Sequence, residues 1–484
     1  MLTETTIFRG AFWFSIGALF ERVMFFILPI FIAPLGPASL GIFYLSLRVF
    51  HGIVAFPTNA LNILYTGTLR KYIQDPKSLK FEETAAFLLK AYFITGMLIG
   101  IFLFILILVI SPIKSLAYLS LAIPFAMANS YMMRLLQLLQ RFKKIFIIQA
   151  VFIFLFQIIY LTIFIKILDM GIGAAFAGQL LMAVLITITA GIFIFGRLNL
   201  LGFFQKLSLK IFTLSKLSFA NLLFITFNPI LDIVLVGILF GFSTLGHYIV
   251  LLYLPLLMHK IPTALFGMFI HVATVKTHNN EDITQISKQV FKWILILTIP
   301  LFVAIMLYPS DILSILFHKT YVKDLEITRL LAVSFFVQSL SWTAERILIA
   351  KNKKVLRVVS NYIFGFVFIL FAFSLASVFG LFGIALAFLI SSIIDVFVKY
   401  FLAIKKTKVF FISIDHLKIL AAGGISSLVS YILFLKNPFL FLSFFVIIYF
   451  AILWIVGIIN KQSLFDFKKM VVKEVGIEEE PAYD

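Results

Sequence analysis

Fourteen apolar stretches of roughly 20 residues follow one another along the chain, separated by short polar or glycine-containing breaks. They cover about 10–33, 41–66, 86–110, 115–139, 143–167, 172–196, 212–239, 246–275, 290–308, 326–350, 355–378, 381–403, 414–435 and 437–460. A helix of roughly 20 residues crosses a hydrocarbon layer about 30 Å thick, so each stretch predicts a membrane-spanning helix. The expected fold class is all-α, a polytopic membrane protein of about 14 transmembrane helices. Against that background a charge inside a stretch stands out. The segment from Phe20 to Arg48 reads as a hairpin of two spans joined by a short uncharged turn. It carries Glu21 and Arg22 in the first span and Arg48 in the second. A charged side chain at the bilayer centre costs on the order of 2.5–3.5 kcal/mol on insertion scales, and is tolerated where it faces water or a partner. The hairpin therefore predicts one wall of a polar cavity.

The pattern also repeats. Leu35-Gly36-Pro37-Ala38-Ser39-Leu40-Gly41 matches Phe240-Gly241-Phe242-Ser243-Thr244-Leu245-Gly246, with glycines five apart in both and the same Ser/Thr-Leu-Gly ending. At the same offset Pro57-Thr58 matches Pro262-Thr263, and slightly further on Gly173-Ala174-Ala175-Phe176-Ala177 matches Gly383-Ile384-Ala385-Leu386-Ala387. Three matches in register predict two six-span lobes, 1–204 and 205–412. Two accessory spans (413–460) and a tail (461–484) follow, the tail expected to be a short cytoplasmic helix. An even number of spans per lobe gives both lobes the same orientation. Transporters built that way bind cargo between the lobes and rock one against the other.

Composition agrees with this reading: 62% of the residues are hydrophobic and 13% charged, against about a quarter charged in a soluble domain. The net charge of +19 does not point to nucleic acid, because the Lys and Arg residues cluster in short loops between spans. Clusters such as Arg141, Lys143 and Lys144, or Lys351, Lys353, Lys354 and Arg357, lie on one side, and the loops of the other side are nearly bare. By the positive-inside rule both termini are cytoplasmic. There is no cysteine, which excludes disulfides, thiolate metal sites and cysteine nucleophiles. No P-loop, HExxH or metal-ligand spacing occurs, so no ATPase, enzyme or cofactor function is expected. No cleavable signal peptide is expected at the start of the chain.

The ionisable residues in or near the spans are then the candidates for chemistry. The cations Arg22, Arg48, Lys260, Arg134 and Arg346 come from both lobes and suit an anionic group such as a diphosphate, which Arg binds through two parallel hydrogen bonds. Arg134 and Arg346 lie near cytoplasmic span ends, where snorkelling is the alternative. Asp232, mid-span after Pro229, and Glu21 are candidates for an ion-coupling site or a counter-charge. Arg329 reads as interfacial, Asp395 as a paired structural charge, and His51 and His247 as hydrogen-bonded polar residues.

The opening FRGAFWFSIGALFERVMFFILPIFIAPLGPASLGIFYL resembles the start of the polysaccharide (O-antigen, Wzx-type) flippases, whose first turn has the form LGPxxYG; here Leu40 stands in place of the Tyr. DIVLVGILFGFSTLGHY resembles the family's seventh span and turn, Ile315 to Lys354 its tenth-span region, and Phe382 to Ala387 its GxxGAAxA helix start. The resemblance implies the multidrug/oligosaccharidyl-lipid/polysaccharide (MOP) exporter superfamily, with two six-helix lobes in a MATE-like V. It implies a prokaryotic cell-membrane protein that moves a polyprenyl-diphosphate-linked oligosaccharide from the cytoplasmic to the outer leaflet as a monomer. H+ or Na+ would be the coupling ion, and spans 13 and 14 a groove for the lipid tail. Family cavity cations carry over to Arg22 and Arg48. The related lipid II flippases have a second first-span Arg about two turns on, where this chain has Leu28-Pro29. Two other functions fit the class: a cation-coupled drug antiporter with an acid-dominated cavity, and a membrane glycosyltransferase or polymerase, which needs a larger outer loop than Pro309 to Glu326.

Overall fold

The computed structural model describes residues 4–72, 79–139, 141–195, 228–265, 269–434 and 437–463, together with 222, 223 and 226. The described residues are almost entirely helical. In chain order the helices are α1 (Glu4–Ile32), α2 (Pro37–Tyr72), α3 (Leu79–Ile110), α4 (Ala117–Leu138), α5 (Phe142–Ile167) and α6 (Gly171–Phe195). After a segment outside the described residues come α7 (231–240) and α8 (242–265), two parts of one helix broken at Gly241. Then follow α9 (Phe269–His278), α10 (Thr284–Leu307), the short α11 (Pro309–Leu316) and α12 (Leu325–Ala350). The chain continues through α13 (354–379) and α14 (381–407), divided at Gly380, and ends in α15 (Ile414–Phe434) and α16 (Pro438–Ile455).

Ten helical stretches among the described residues are long and apolar enough to cross a membrane, two of them being the broken helices. Spans 1 to 6 and 8 to 14 of the sequence pattern each coincide with a helix. Most of the seventh, along with the expected lobe boundary near 204, lies outside the described residues, as does the tail beyond 463. Two expected outer loops are not loops. At Gly241 and Gly380 the chain reverses through one non-helical residue, with φ/ψ of 80°/172° and 59°/−135°. Such conformations belong to glycine alone.

The chain forms two compact units, Arg9–Gly246 and His247–Asp484. In the N-terminal unit α3 packs along α4, α4 against α6, and α2 against both α3 and α4. α7 belongs to this unit, and its turn explains why. Gly36 and Gly241, the first glycines of the two repeat motifs, have nearly the same backbone (φ/ψ 94°/162° and 80°/172°). The second glycines lock the turns together: a Cβ on Gly41 would lie 2.0 Å from the Phe242 carbonyl oxygen, and one on Gly246 1.9 Å from that of Pro37. The two copies of the motif are thus in reciprocal backbone contact. α5 is widened by π-helical stretches at Gln149–Phe156 and Thr162–Ile167.

In the C-terminal unit α12 packs against α13 and α14, and α10 against α12 and α15. α16 pairs with α15. A single apolar core takes Phe291, Ile294 and Ile299 from α10, Ile419 and Ala422 from α15, and Phe441, Phe445, Tyr449 and Leu453 from α16.

Candidate functional site

Arg48 is the deepest of the described candidate cations. It stands eleven residues after the start and fourteen before the end of the membrane-crossing stretch Pro37–Asn62. At 1.5 Å per residue that is about 16 Å along the helix, near the middle of a layer roughly 30 Å thick. Its guanidinium carbon lies 4.6 Å from the centre of the Phe25 ring on α1 and 5.3 Å from that of Tyr44, one turn earlier on α2. The two rings meet edge to face at 5.9 Å. Arg48 has no ion-pair partner among the described residues, and its Nε is buried without a hydrogen-bond partner. Cation–π contacts contribute about 0.5–2 kcal/mol each, depending on desolvation. They orient the guanidinium, which is also within hydrogen-bonding reach of the Tyr44 hydroxyl. Tyr44 is within electrostatic reach of Asp232, which is buried and itself engaged. The structure therefore brings Arg48 and Asp232 around one tyrosine. His51, the next turn along α2, is exposed.

The other candidates of this unit are placed separately. Glu21 on α1 accepts a hydrogen bond from Gln149 Nε2 at 3.0 Å, where α5 begins to widen. Gly17 allows this approach, since a Cβ there would lie 2.1 Å from Gln149 Oε1. The side chain of Arg22 lies outside the described residues. Arg134 on α4 is exposed and donates to Asn59 Oδ1 at 3.2 Å.

The C-terminal unit holds a second collection of charges. Glu345 on α12 accepts from Arg357 Nε on α13 at 2.7 Å and meets Lys399 Nζ on α14 at 3.5 Å. Lys399 also pairs with Asp395, one turn earlier, at 2.7 Å. Asp395 is a paired charge as expected, and the four charges cancel. His259 on α8 lies within electrostatic reach of Lys260, Glu345, Lys399 and Arg346, so the Lys260 and Arg346 candidates share one neighbourhood. Lys260 is half-buried and engaged. Arg346 lies 5.0 Å from the centre of the Trp342 ring, one turn earlier on α12, and its Nε is buried without a partner. Arg329 is paired with Glu326 and donates to the Met306 carbonyl at 3.0 Å. Among the described residues no group of acids and histidines has the makings of a metal site.

No protein-family model and no curated protein matches the sequence. Solved structures do match the fold. An inward-facing multidrug resistance MATE family transporter of the MOP superfamily aligns with a TM-score of 0.65 and 14% identity, over 80% of this chain and 94% of the other. The lipid II flippase MurJ, in an inward closed conformation, aligns with a TM-score of 0.69 and 18% identity, over 93% and 99%. A MATE structure in the straight conformation aligns with a TM-score of 0.60 and 16% identity, over 83% and 96%. This chain has the fold of the MOP-superfamily transporters. That fold carries transporters and flippases of different cargo, so the chemistry must be read from the residues.

Sequence reasoning marked the charges in this MOP fold and missed their surroundings. Phe25, Tyr44, Trp342, Asn59 and Lys399 were not singled out, and Arg357 was counted only as a basic-loop residue. One signal was available: an aromatic residue four positions before an arginine, in Tyr44-x-x-x-Arg48 and again in Trp342-x-x-x-Arg346. On a helix that spacing stacks one side chain over the other.

Proposed function

We propose that this protein is a flippase for a lipid-linked oligosaccharide, carrying its polyprenyl-diphosphate headgroup from the cytoplasmic to the outer leaflet of a prokaryotic cell membrane. The observation that carries this reading is Arg48: a guanidinium near mid-membrane, stacked between two rings, with no carboxylate partner among the described residues and a buried, unpaired Nε. A half-buried cation at membrane depth without a counter-charge is expensive, and a diphosphate supplies both the charge and the acceptor oxygens. Headgroup binding at Arg48, together with Arg22 of α1, would offset that cost, while the isoprenoid tail stays in lipid. Lys260, Arg134 and Arg346 are the further anion-binding candidates. Asp232, sharing Tyr44 with Arg48, and Glu21, bridged to Gln149, are the candidate sites for a coupling H+ or Na+.

The match to the MurJ flippase spans 93% of this chain and those to the MATE structures 80% and 83%, which favours a flippase over a drug antiporter. The charges favour it too. An antiporter of cationic drugs needs available acids, and Glu345 and Asp395 are already paired with Arg357 and Lys399. Lipid II itself is disfavoured as cargo by Leu28-Pro29 where lipid II flippases carry their second first-span Arg.

The test is glycan export in cells whose own flippase has been deleted. Arg48→Ala should abolish export at normal protein levels. Arg48→Lys keeps the charge but loses the planar fork, and should retain roughly a tenth of it. Full export by Arg48→Ala would remove the mechanism, and drug efflux without glycan export would move the chain to the antiporter function.

A further inference from the structure

Among the described residues α5 alone contains π-helical stretches, at Gln149–Phe156 and Thr162–Ile167. They take eight and six of its 26 residues. Such geometry holds under about 1% of residues in globular proteins and gathers at functional sites. A π turn closes five residues back instead of four, so each stretch holds a residue that a regular helix would not need. The contacts with α1 show the surplus. Trp13 meets Phe146 with ring centres 4.8 Å apart, and further along Lys166 lies 4.8 Å from the centre of the Phe31 ring. Between these contacts α1 advances 18 residues, from 13 to 31, and α5 advances 20, from 146 to 166. α5 thus carries two extra residues over the same length, one for each π stretch. The first stretch is fastened on both sides to α6. On one side Arg141 donates to the Phe193 carbonyl at 2.6 Å, and Lys144 lies 4.7 Å from the centre of the Phe193 ring. On the other, Tyr160 donates to the Ala174 carbonyl at 3.1 Å, its ring seated where a Cβ on Gly178 would lie only 2.5 Å away. A surplus residue between two fixed points cannot leave, but its place along the helix can move. Each residue it passes turns by one helical position, about 100°, while the ends stay put. Gln149 is the first residue of the stretch. It is buried, donates from Nε2 to Glu21 at 3.0 Å, and has a buried Oε1 without a hydrogen-bond partner. One bond therefore holds the amide in its notch at Gly17, and Glu21 stands eleven residues before the end of α1, about 16 Å along it.

We propose that α5 is a register switch: movement of the surplus residue past Gln149 makes and breaks the hydrogen bond to Glu21. The inference rests on Glu21 as a coupling site of the flippase proposed above and deepens that function. With the bond made, Gln149 supports the ionised carboxylate, and a hydrogen bond to a charged group is the stronger kind. With the bond broken, a charge at membrane depth loses that support and is balanced by the coupling ion instead. Gln149 is thus a positioning residue for Glu21, and the switch works with both ends of the first stretch held on α6.

A chain lacking Val151 tests this. The deletion removes the surplus residue between the two fastenings and keeps Arg141, Lys144, Gln149 and Tyr160. Hydrogen exchange of the full-length protein in detergent is followed by mass spectrometry. In the wild type the amides of Gln149–Phe156 should exchange faster than those of α6. In the deletion variant they should slow to the α6 rate, with the thermal midpoint unchanged or raised. Equal exchange in the wild type, or a lower midpoint in the deletion variant, would overturn the surplus residue and the switch with it. In cells the deletion variant should export glycan several-fold less at normal protein levels. Gln149→Leu, which keeps the π stretch and removes the bond, should be reduced as well. Normal export by the deletion variant would overturn the switch, and normal export by Gln149→Leu would overturn its link to Glu21. If Arg48→Ala still loses export in either event, the flippase function stands. If the wild type exports no glycan, that function falls, and the exchange comparison alone decides the switch.

Discussion

Glu345 and Glu326 each face an arginine, yet their surroundings set very different energies. The Glu326–Arg329 pair is exposed, with the glutamate side chain 71% accessible, and such pairs contribute about 0–1 kcal/mol. Glu345 is 16% accessible and serves two cations at once, Arg357 and Lys399. Removing one partner from a buried pair strands the other and costs about 3–5 kcal/mol. Glu345→Gln should therefore lower the thermal midpoint of the purified protein clearly, and Glu326→Gln should barely move it. Equal shifts in the two variants would mean that the network around Glu345 is hydrated and contributes little. At this scale the sequence was partly legible. Asp395 and Lys399 are four apart and announce a pair. Glu345 and Arg357 come from different helices, and nothing in their spacing says that they meet.

Among the elements, the turns decided more than the spans. Hydropathy alone located the helices, because the bilayer forces every backbone group into an intrahelical bond and leaves few other choices. Hydropathy could not show how the helices are joined. The breaks at Gly241 and Gly380 looked like loops of several residues and are single-residue reversals. The glycine pattern in the repeat was visible, but its reason was not: Gly41 and Gly246 are small because the opposite turn's carbonyl occupies the space. Gly41→Ala and Gly246→Ala should each sharply reduce the yield of monodisperse protein. Gly424, helical with open space around it, is the control, and Gly424→Ala should be neutral or gain about 0.5–1 kcal/mol. Normal yields for both tight variants, measured by size-exclusion chromatography, would mean the turns can separate at little cost.

For the molecule as a whole, the two C-terminal helices are more than an addition. Their rings Phe441, Phe445 and Tyr449 are fully buried and stack in sequence against the same core as Phe291 and Ile299 of α10. Two polar ties reinforce this: Lys292 donates to the Ile458 carbonyl, and His416 Nε2 lies 3.2 Å from the carbonyl of Lys288. In a bilayer lipid can cover whatever α15 and α16 leave behind, so their loss removes packing and hydrogen bonds rather than hydrophobic burial. A chain ending at residue 413 should insert at normal levels and show a lower thermal midpoint; an unchanged midpoint would make these helices a detachable appendage. The aromatic partners of the site stayed hidden for a related reason. With 60 Phe and 16 Tyr in the chain, a ring that holds a guanidinium looks like any ring that meets lipid.

The handshake of the two glycine turns has a practical corollary. Topology in membrane proteins is commonly mapped by inserting tags into hairpin bends, and the bend between α1 and α2 looks inviting because it is short and uncharged. Any bulk added there would be transmitted through Pro37 and Gly41 to Phe242 and Gly246, some two hundred positions further along the chain. The exposed bend Asn279–Asp282, which belongs to neither glycine turn, is the better place for a label.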